Sequence, residues 1–150
     1  MGLIHAMRRL FVTGLSAVTI ACGGEDATKP EPPEGDYGLV AVGATPLPAP
    51  VGNPVVVFTI TAGDLHLGAD GTYRVTVTHM GRSGPYEPWD SGIWTTGPPT
   101  GIYLTRPGAV GLTFTGDRCD PTEGTYLADL RQVVLRRLCG SFGDDLVFQR

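Results

Sequence analysis

The sequence predicts an all-β fold, an antiparallel up-and-down barrel of about eight to ten short strands, and three observations carry that expectation. The chain has 22 glycines and 13 prolines, and with its many threonines and valines this points to short strands and tight turns rather than helices. From Tyr37 to Arg150, alternating or β-branched runs recur between turn signals. A glycine, a β-branched residue and an aromatic open a strand four times, at Gly71-Thr72-Tyr73, Gly92-Ile93-Trp94, Gly101-Ile102-Tyr103 and Gly124-Thr125-Tyr126. The spacing is too irregular for a solenoid, and a meander whose return strands each turn an aromatic inward explains it better. Closing such a meander removes exposed edges and leaves an interior either filled by side chains or wide enough for one small ligand.

Ahead of the barrel, residues 1–21 read as a signal peptide: Arg8 and Arg9 precede an apolar run from Leu10 to Ala21 that is short for a bilayer span. Thr19-Ile20-Ala21-Cys22 resembles the lipobox of bacterial lipoproteins, which implies lipidation of Cys22 and an exported, membrane-anchored protein of the cell envelope. Thr19 stands where that motif usually has leucine, and ordinary cleavage beside Ala21 is the alternative. Residues 22–36 then form a lipidated cysteine and a disordered tether, since Gly23–Asp36 is rich in proline and acidic residues with almost nothing to bury. Extended at about 3 Å per residue, it reaches roughly 40 Å from an anchor. Residues 37–150 make one ordinary domain. Without Arg8 and Arg9, Lys plus Arg falls from 11 to 9 against 15 acidic residues, about −6 overall, a sign that disfavours nucleic acid as a partner.

Within the domain, Tyr37–Val42 alternates and predicts a first strand, and Gly43–Pro50 follows as a loop because its prolines donate no ladder bonds. Val55–Thr61 is apolar and β-branched enough for a buried strand, with a bulge or break at Ala62-Gly63. Gly63–His79 is the clearest local structure: two alternating runs around Ala69-Asp70-Gly71, a three-residue hairpin loop in which Gly71 takes positive φ and Asp70 bonds its own backbone. With Gly68 opposite Thr72, Leu67 faces Tyr73 and Leu65 faces Val75 on the core side, while His66 faces Arg74 on the wet side. Gly81–Asp90 reads as a long loop, and Gly92–Thr96, Gly101–Thr105 and Val110–Thr115 as three more strands. Gly124–Ala128, Gln132–Leu138 and Asp145–Gln149 complete the set. Leu127, Leu130, Val134 and Leu138 also fit one helical face. Val133-Val134-Leu135 and a turn at Asp129-Leu130-Arg131 favour a hairpin instead.

Taken together, the lipobox-like start and acidic tether, Tyr37–Pro48, the Leu-x-Leu-x-Ala-Asp-Gly-Thr-Tyr hairpin at 65–73, Ser91-Gly92-Ile93-Trp94 and the ending Leu146–Arg150 resemble small bacterial lipoproteins with a lipocalin-like domain. The resemblance implies an up-and-down barrel and, for most members, no assigned activity. It brings no catalytic residues.

The chemistry in the chain is correspondingly sparse. Cys119 and Cys139 flank the open end of the expected 124–138 hairpin, and an exported protein would oxidise them to a disulfide, typically worth about 3 kcal/mol for a loop of this length, two free thiols or a metal pair without further ligands being the alternatives. His66 and His79 fall on opposite faces and do not share a metal, and the Asp117, Asp120 and Glu123 loop lacks EF-hand spacing. No metal or other cofactor is expected. Neither Gly-x-Ser-x-Gly, His-Glu-x-x-His nor a phosphate loop occurs, so no enzyme chemistry is expected either. Aromatics are the remaining candidates: Tyr73, Trp94, Tyr103 and Phe114 for a lumen that holds a small apolar ligand, with Tyr86 and Trp89 in a loop over the barrel mouth. Core filling is the plainer reading of the same residues. The sequence therefore leaves two functions open, a non-catalytic binding module for a small apolar molecule and an envelope scaffold or protein-interaction lipoprotein with a packed barrel.

Overall fold

The computed structural model describes residues 31–52, 57–81, 84–118, 122–136 and 144–150. Among these residues eleven strands form one antiparallel sheet: β1 (Gly35–Val42), β2 (Thr45–Pro46), β3 (Ala49–Gly52), β4 (Val57–Leu67), β5 (Thr72–Gly81), β6 (Gly84–Tyr86), β7 (Trp89–Gly97), β8 (Ala109–Gly116), β9 (Thr122–Leu127), β10 (Gln132–Leu135) and β11 (Leu146–Gln149). Eight of them close a ring in the order β1-β4-β5-β7-β8-β9-β10-β11, each beside its neighbour along the chain, with β11 returning to β1. This is the up-and-down barrel that the turn and strand pattern predicts. The three short strands lie off the ring, β2 against β1, β3 against β4 and β6 against β5.

The β4–β5 hairpin has the register that its sequence dictates. Leu65 pairs Val75, His66 pairs Arg74 and Leu67 pairs Tyr73, while the Gly68 amide donates to the Thr72 carbonyl at 2.8 Å. Gly71 has φ +82°, a conformation that costs glycine nothing. Asp70 Oδ1 accepts from the Thr72 amide and hydroxyl at 3.0 and 2.7 Å, and these bonds hold its carboxyl below the usual carboxylate range. The bulge falls between Ile60 and Ala62, where the β4–β5 register shifts. Residues 122–135 form the β9–β10 hairpin, not a helix, turning at 128–131 with Arg131 at φ 50°.

Ring closure rests on a short seam. Gly35–Gly38 of β1 pairs with Asp64–Leu67 of β4, after which the two strands part and β1 pairs with β11 from Gly38 to Val42. The sheet thus takes in Gly35 and Asp36, the last two residues of the stretch read as tether. Arg150 fastens this end of the barrel: its guanidinium donates to Glu31 Oε1 (2.9 Å), the Glu34 carbonyl (2.8 Å) and Tyr37 Oη (2.8 Å), and lies over the Tyr37 ring.

Inward residues from all eight ring strands, among them Tyr37, Leu65, Val75, Trp94, Phe114, Tyr126, Val133 and Phe148, make one contiguous apolar cluster. The outward positions on the same strands are largely Asp, His, Arg, Thr and Ser. That is the reverse of a barrel whose wall spans a bilayer, where the apolar band faces outward.

One predicted strand is corrected. Gly101–Thr105 does not join the sheet; Gly101–Tyr103 is a 3-10 turn within an excursion, 98–108, that crosses the outside of the barrel. The Pro98-Pro99 and Pro107 that bracket it supply no ladder donors. Its fixings lie on the outer side of the β9 hairpin instead, Thr100 to Glu123 at 3.1 Å and Arg106 to Asp129 at 2.9 Å. Between those two fixings Thr125 and Leu127, outward on β9, are buried at 2 % exposure each.

Candidate functional site

The aromatics expected to line a lumen divide into two groups. Tyr73, Trp94 and Phe114 do point inward, and Tyr73 meets Phe114 edge to face with ring centroids 5.0 Å apart. Tyr103 does not: it sits half-buried in the outer excursion, carried there by the prolines around it. Trp89 is no mouth cover either, since it is outward on β7 beside Thr76. Tyr86 lies on β6 at a barrel end, its ring 5.0 Å from that of His79, which in turn lies 4.9 Å from Phe58. His66 and His79 are on opposite faces as the register requires, and burial lowers the pKa of His79. Cys22, Cys119, Cys139 and Asp120 lie outside the described residues. Among the described residues no group of three or more metal-ligating side chains converges.

Among the described residues, seven inward side chains border no water-sized space. A void large enough for a water molecule exposes area on its lining. Yet Ile60, Val75, Val77, Tyr126, Val133, Leu146 and Phe148 are each 0 % exposed.

Among the described residues, one carboxyl group lies within that interior. Asp90, inward on β7 and 0 % exposed, accepts from the Tyr73 hydroxyl at 2.6 Å and the Arg118 amide at 3.1 Å. Burial, followed by the Asp90 carboxylate, raises the Tyr73 pKa well above its ordinary value. Gly116 makes the room: a Cβ there would lie 2.0 Å from Asp90 Oδ2 and 2.3 Å from Tyr73 Oη. This pair joins β5 to β7 and is sealed from substrate, so its chemistry is that of a clasp.

The open polar site is on the outside. Across β1, β4 and β5 a groove of about 440 Å³ is lined by Asp36, Tyr37, Gly38, Asp64, Leu65, His66, Arg74 and Thr76. Two cross-strand rows build it. Asp36, His66, Arg74 and Ser91 stand side by side on four successive strands, and Gly38, Asp64, Thr76 and Trp89 form the parallel row two residues away. His66 Nδ1 lies 2.6 Å from Asp36 Oδ1. Gly38 opens the floor, because a Cβ there would meet nothing within 4 Å. At the β7 side, Trp89 is covered by the Arg118 guanidinium at 3.8 Å from the ring centroid, with Arg74 at 6.0 Å.

Sequence reasoning placed His66 beside Arg74 but missed the site around them. Asp36 reads as the end of the acidic tether, and its position depends on the long-range β1–β4 pairing, for which no local pattern exists. Asp90 is equally hidden, since between Trp89 and Ser91 it reads as a loop residue. Its one local sign is the shift from proline-rich chain to the alternating run that begins at Gly92. No protein-family model, curated protein or solved structure matches this chain.

Proposed function

We propose that this is an exported lipoprotein, anchored through lipid on Cys22, whose barrel is a non-catalytic scaffold that works through its outer face rather than its lumen. The observation that supports this reading is the interior itself, where inward side chains from every ring strand pack at 0–8 % exposure in one cluster. A hollow lipocalin-like cup for an apolar ligand needs free volume there. The polar groove across β1, β4 and β5 is an outer feature open to recognition.

Two measurements test the reading. Cell fractionation of wild type and Cys22→Ser is expected to move the protein from the membrane to the soluble fraction, and unchanged membrane association overturns the anchor. Native mass spectrometry of the protein gently extracted from membranes is expected to give the mass of the lipidated chain alone. A stoichiometric apolar molecule released on unfolding would overturn the filled barrel and favour the binding-module reading.

A further inference from the structure

The groove holds two opposite charges that do not meet. Asp64 on β4 is opposite Thr76, and Arg74 on β5 is opposite His66, so the carboxylate and guanidinium are diagonal neighbours on the outer face. Diagonal neighbours in an antiparallel pair stand about 7–8 Å apart, within reach of long side chains. Among the described residues, however, no ion pair forms between them or from either to another side chain. His66 pairs with Asp36 through Nδ1, and among the described residues no ion pair joins it to Asp64. Both charges line the cavity, and Gly38, beside Asp64 on β1, leaves that side of it open because it carries no side chain.

We propose that this groove binds a free α-amino acid, its ammonium on Asp64 and its carboxylate on Arg74, with Thr76 between them as a hydroxyl partner. An α-amino acid carries both charges on one carbon, so it bridges a single diagonal step that the two protein groups leave unclosed. Guanidinium and carboxylate form paired N–H···O bonds, which orients the ligand. Trp89 stands beside Thr76 on the side away from Asp64, with one face of its indole covered by the Arg118 guanidinium, so an apolar ligand side chain would meet only the part of the ring that Arg118 leaves open. A purely cationic or purely anionic ligand meets one complementary and one repulsive charge, so both charges are required together. The site is solvent-exposed and its ion pairs are screened, so binding is expected to be weak, roughly millimolar. The inference rests on the outer-face reading above, but not on the lipid anchor.

The test is titration of the full chain, 15N-labelled and in detergent, with L-leucine, 3-methylbutylamine and 4-methylpentanoate, the last two being leucine without its carboxylate and without its ammonium. Leucine is expected to give saturable shifts of the Gly38 and Thr76 amides and the Trp89 indole N–H, and the two analogues to bind at least tenfold more weakly. Asp64→Asn and Arg74→Gln should each weaken leucine about tenfold or more, equivalent to about 1.4 kcal/mol. Gly38→Phe, which places a ring over open space, should block binding with the barrel intact. Equal binding of either analogue, or leucine binding unchanged in both charge variants, overturns the proposal. Absence of any saturable shift overturns the groove ligand and leaves the outer-face reading to its own tests. Shifts confined to inward residues such as Val75 and Phe114 would overturn both.

Discussion

Tyr73 donates its phenolic hydrogen to Asp90 Oδ2 across 2.6 Å in the largely apolar interior of the barrel, and the Arg118 amide donates to the other carboxylate oxygen at 3.1 Å. Among the described residues no ion pair reaches this carboxylate, so the two donors, from β5 and from the segment after β8, carry its burial. Asp90→Ala leaves a buried hydroxyl and a backbone N–H without acceptors, and is expected to cost about 2–4 kcal/mol. Asp90→Asn keeps an oxygen acceptor but adds donors that find no partner, and should retain part of that stability. Urea denaturation of the three proteins checks the order wild type, Asn, Ala.

Gly116 and Gly38 offer a paired test of where the barrel tolerates a methyl group. Gly116→Ala drives a Cβ to 2.0 Å from Asp90 Oδ2, and overpacking plus a displaced hydrogen bond should cost about 3 kcal/mol. Gly38→Ala meets nothing within 4 Å and should change stability by less than about 0.5 kcal/mol. Similar melting curves for the two variants would contradict the inward and outward assignments of these strands.

High pH should unfold the barrel through its tyrosines. Burial, together with the Asp90 carboxylate for Tyr73, raises the pKa values of Tyr73, Tyr37 and Tyr126 above the ordinary phenol value. A pKa raised in the folded state contributes stability that is whole below the unfolded value, about 10, and is lost as pH climbs through the folded value. Denaturation midpoints are therefore expected to fall steeply from pH 10 upward. Tyr73→Phe, though less stable at neutral pH, should show a shallower fall, since it removes one of the protons that unfolding releases.

What was legible in the chain was local. The Gly63–His79 hairpin follows from a period of two and one turn, and its register is the one the sequence dictates because both signals lie within seventeen residues. Gly101–Thr105 shows why a local pattern is insufficient: it alternates like a strand, but the bracketing prolines and the outer surface of β9, supplied some twenty residues later, decide its place. The groove needed still longer-range knowledge. Asp36 reaches His66 only through the β1–β4 seam that closes the barrel, and nothing in either segment names the other as its partner.

That seam yields the last prediction. Arg150 binds Glu31, the Glu34 carbonyl and Tyr37 Oη at once, while Tyr37 Oη donates to the Pro33 carbonyl at 2.5 Å. The cluster pins the chain just before the four β1 residues that pair with β4. Because its charges are partly solvated, Arg150→Ala should cost only about 1 kcal/mol globally. Local opening is the more sensitive readout: amide hydrogen exchange is expected to quicken across Gly35–Gly38 and their β4 partners Asp64–Leu67, with β8–β10 unchanged. Arg150→Lys keeps the charge but not the planar fork that serves several acceptors, and should fall between wild type and Ala. The same loss removes the guanidinium that opposes the burial-driven rise in the Tyr37 pKa, so Tyr37 should ionise at still higher pH in Arg150→Ala. A downward shift in ultraviolet titration, or uniform acceleration of exchange around the ring, would show that Arg150 does not hold the seam.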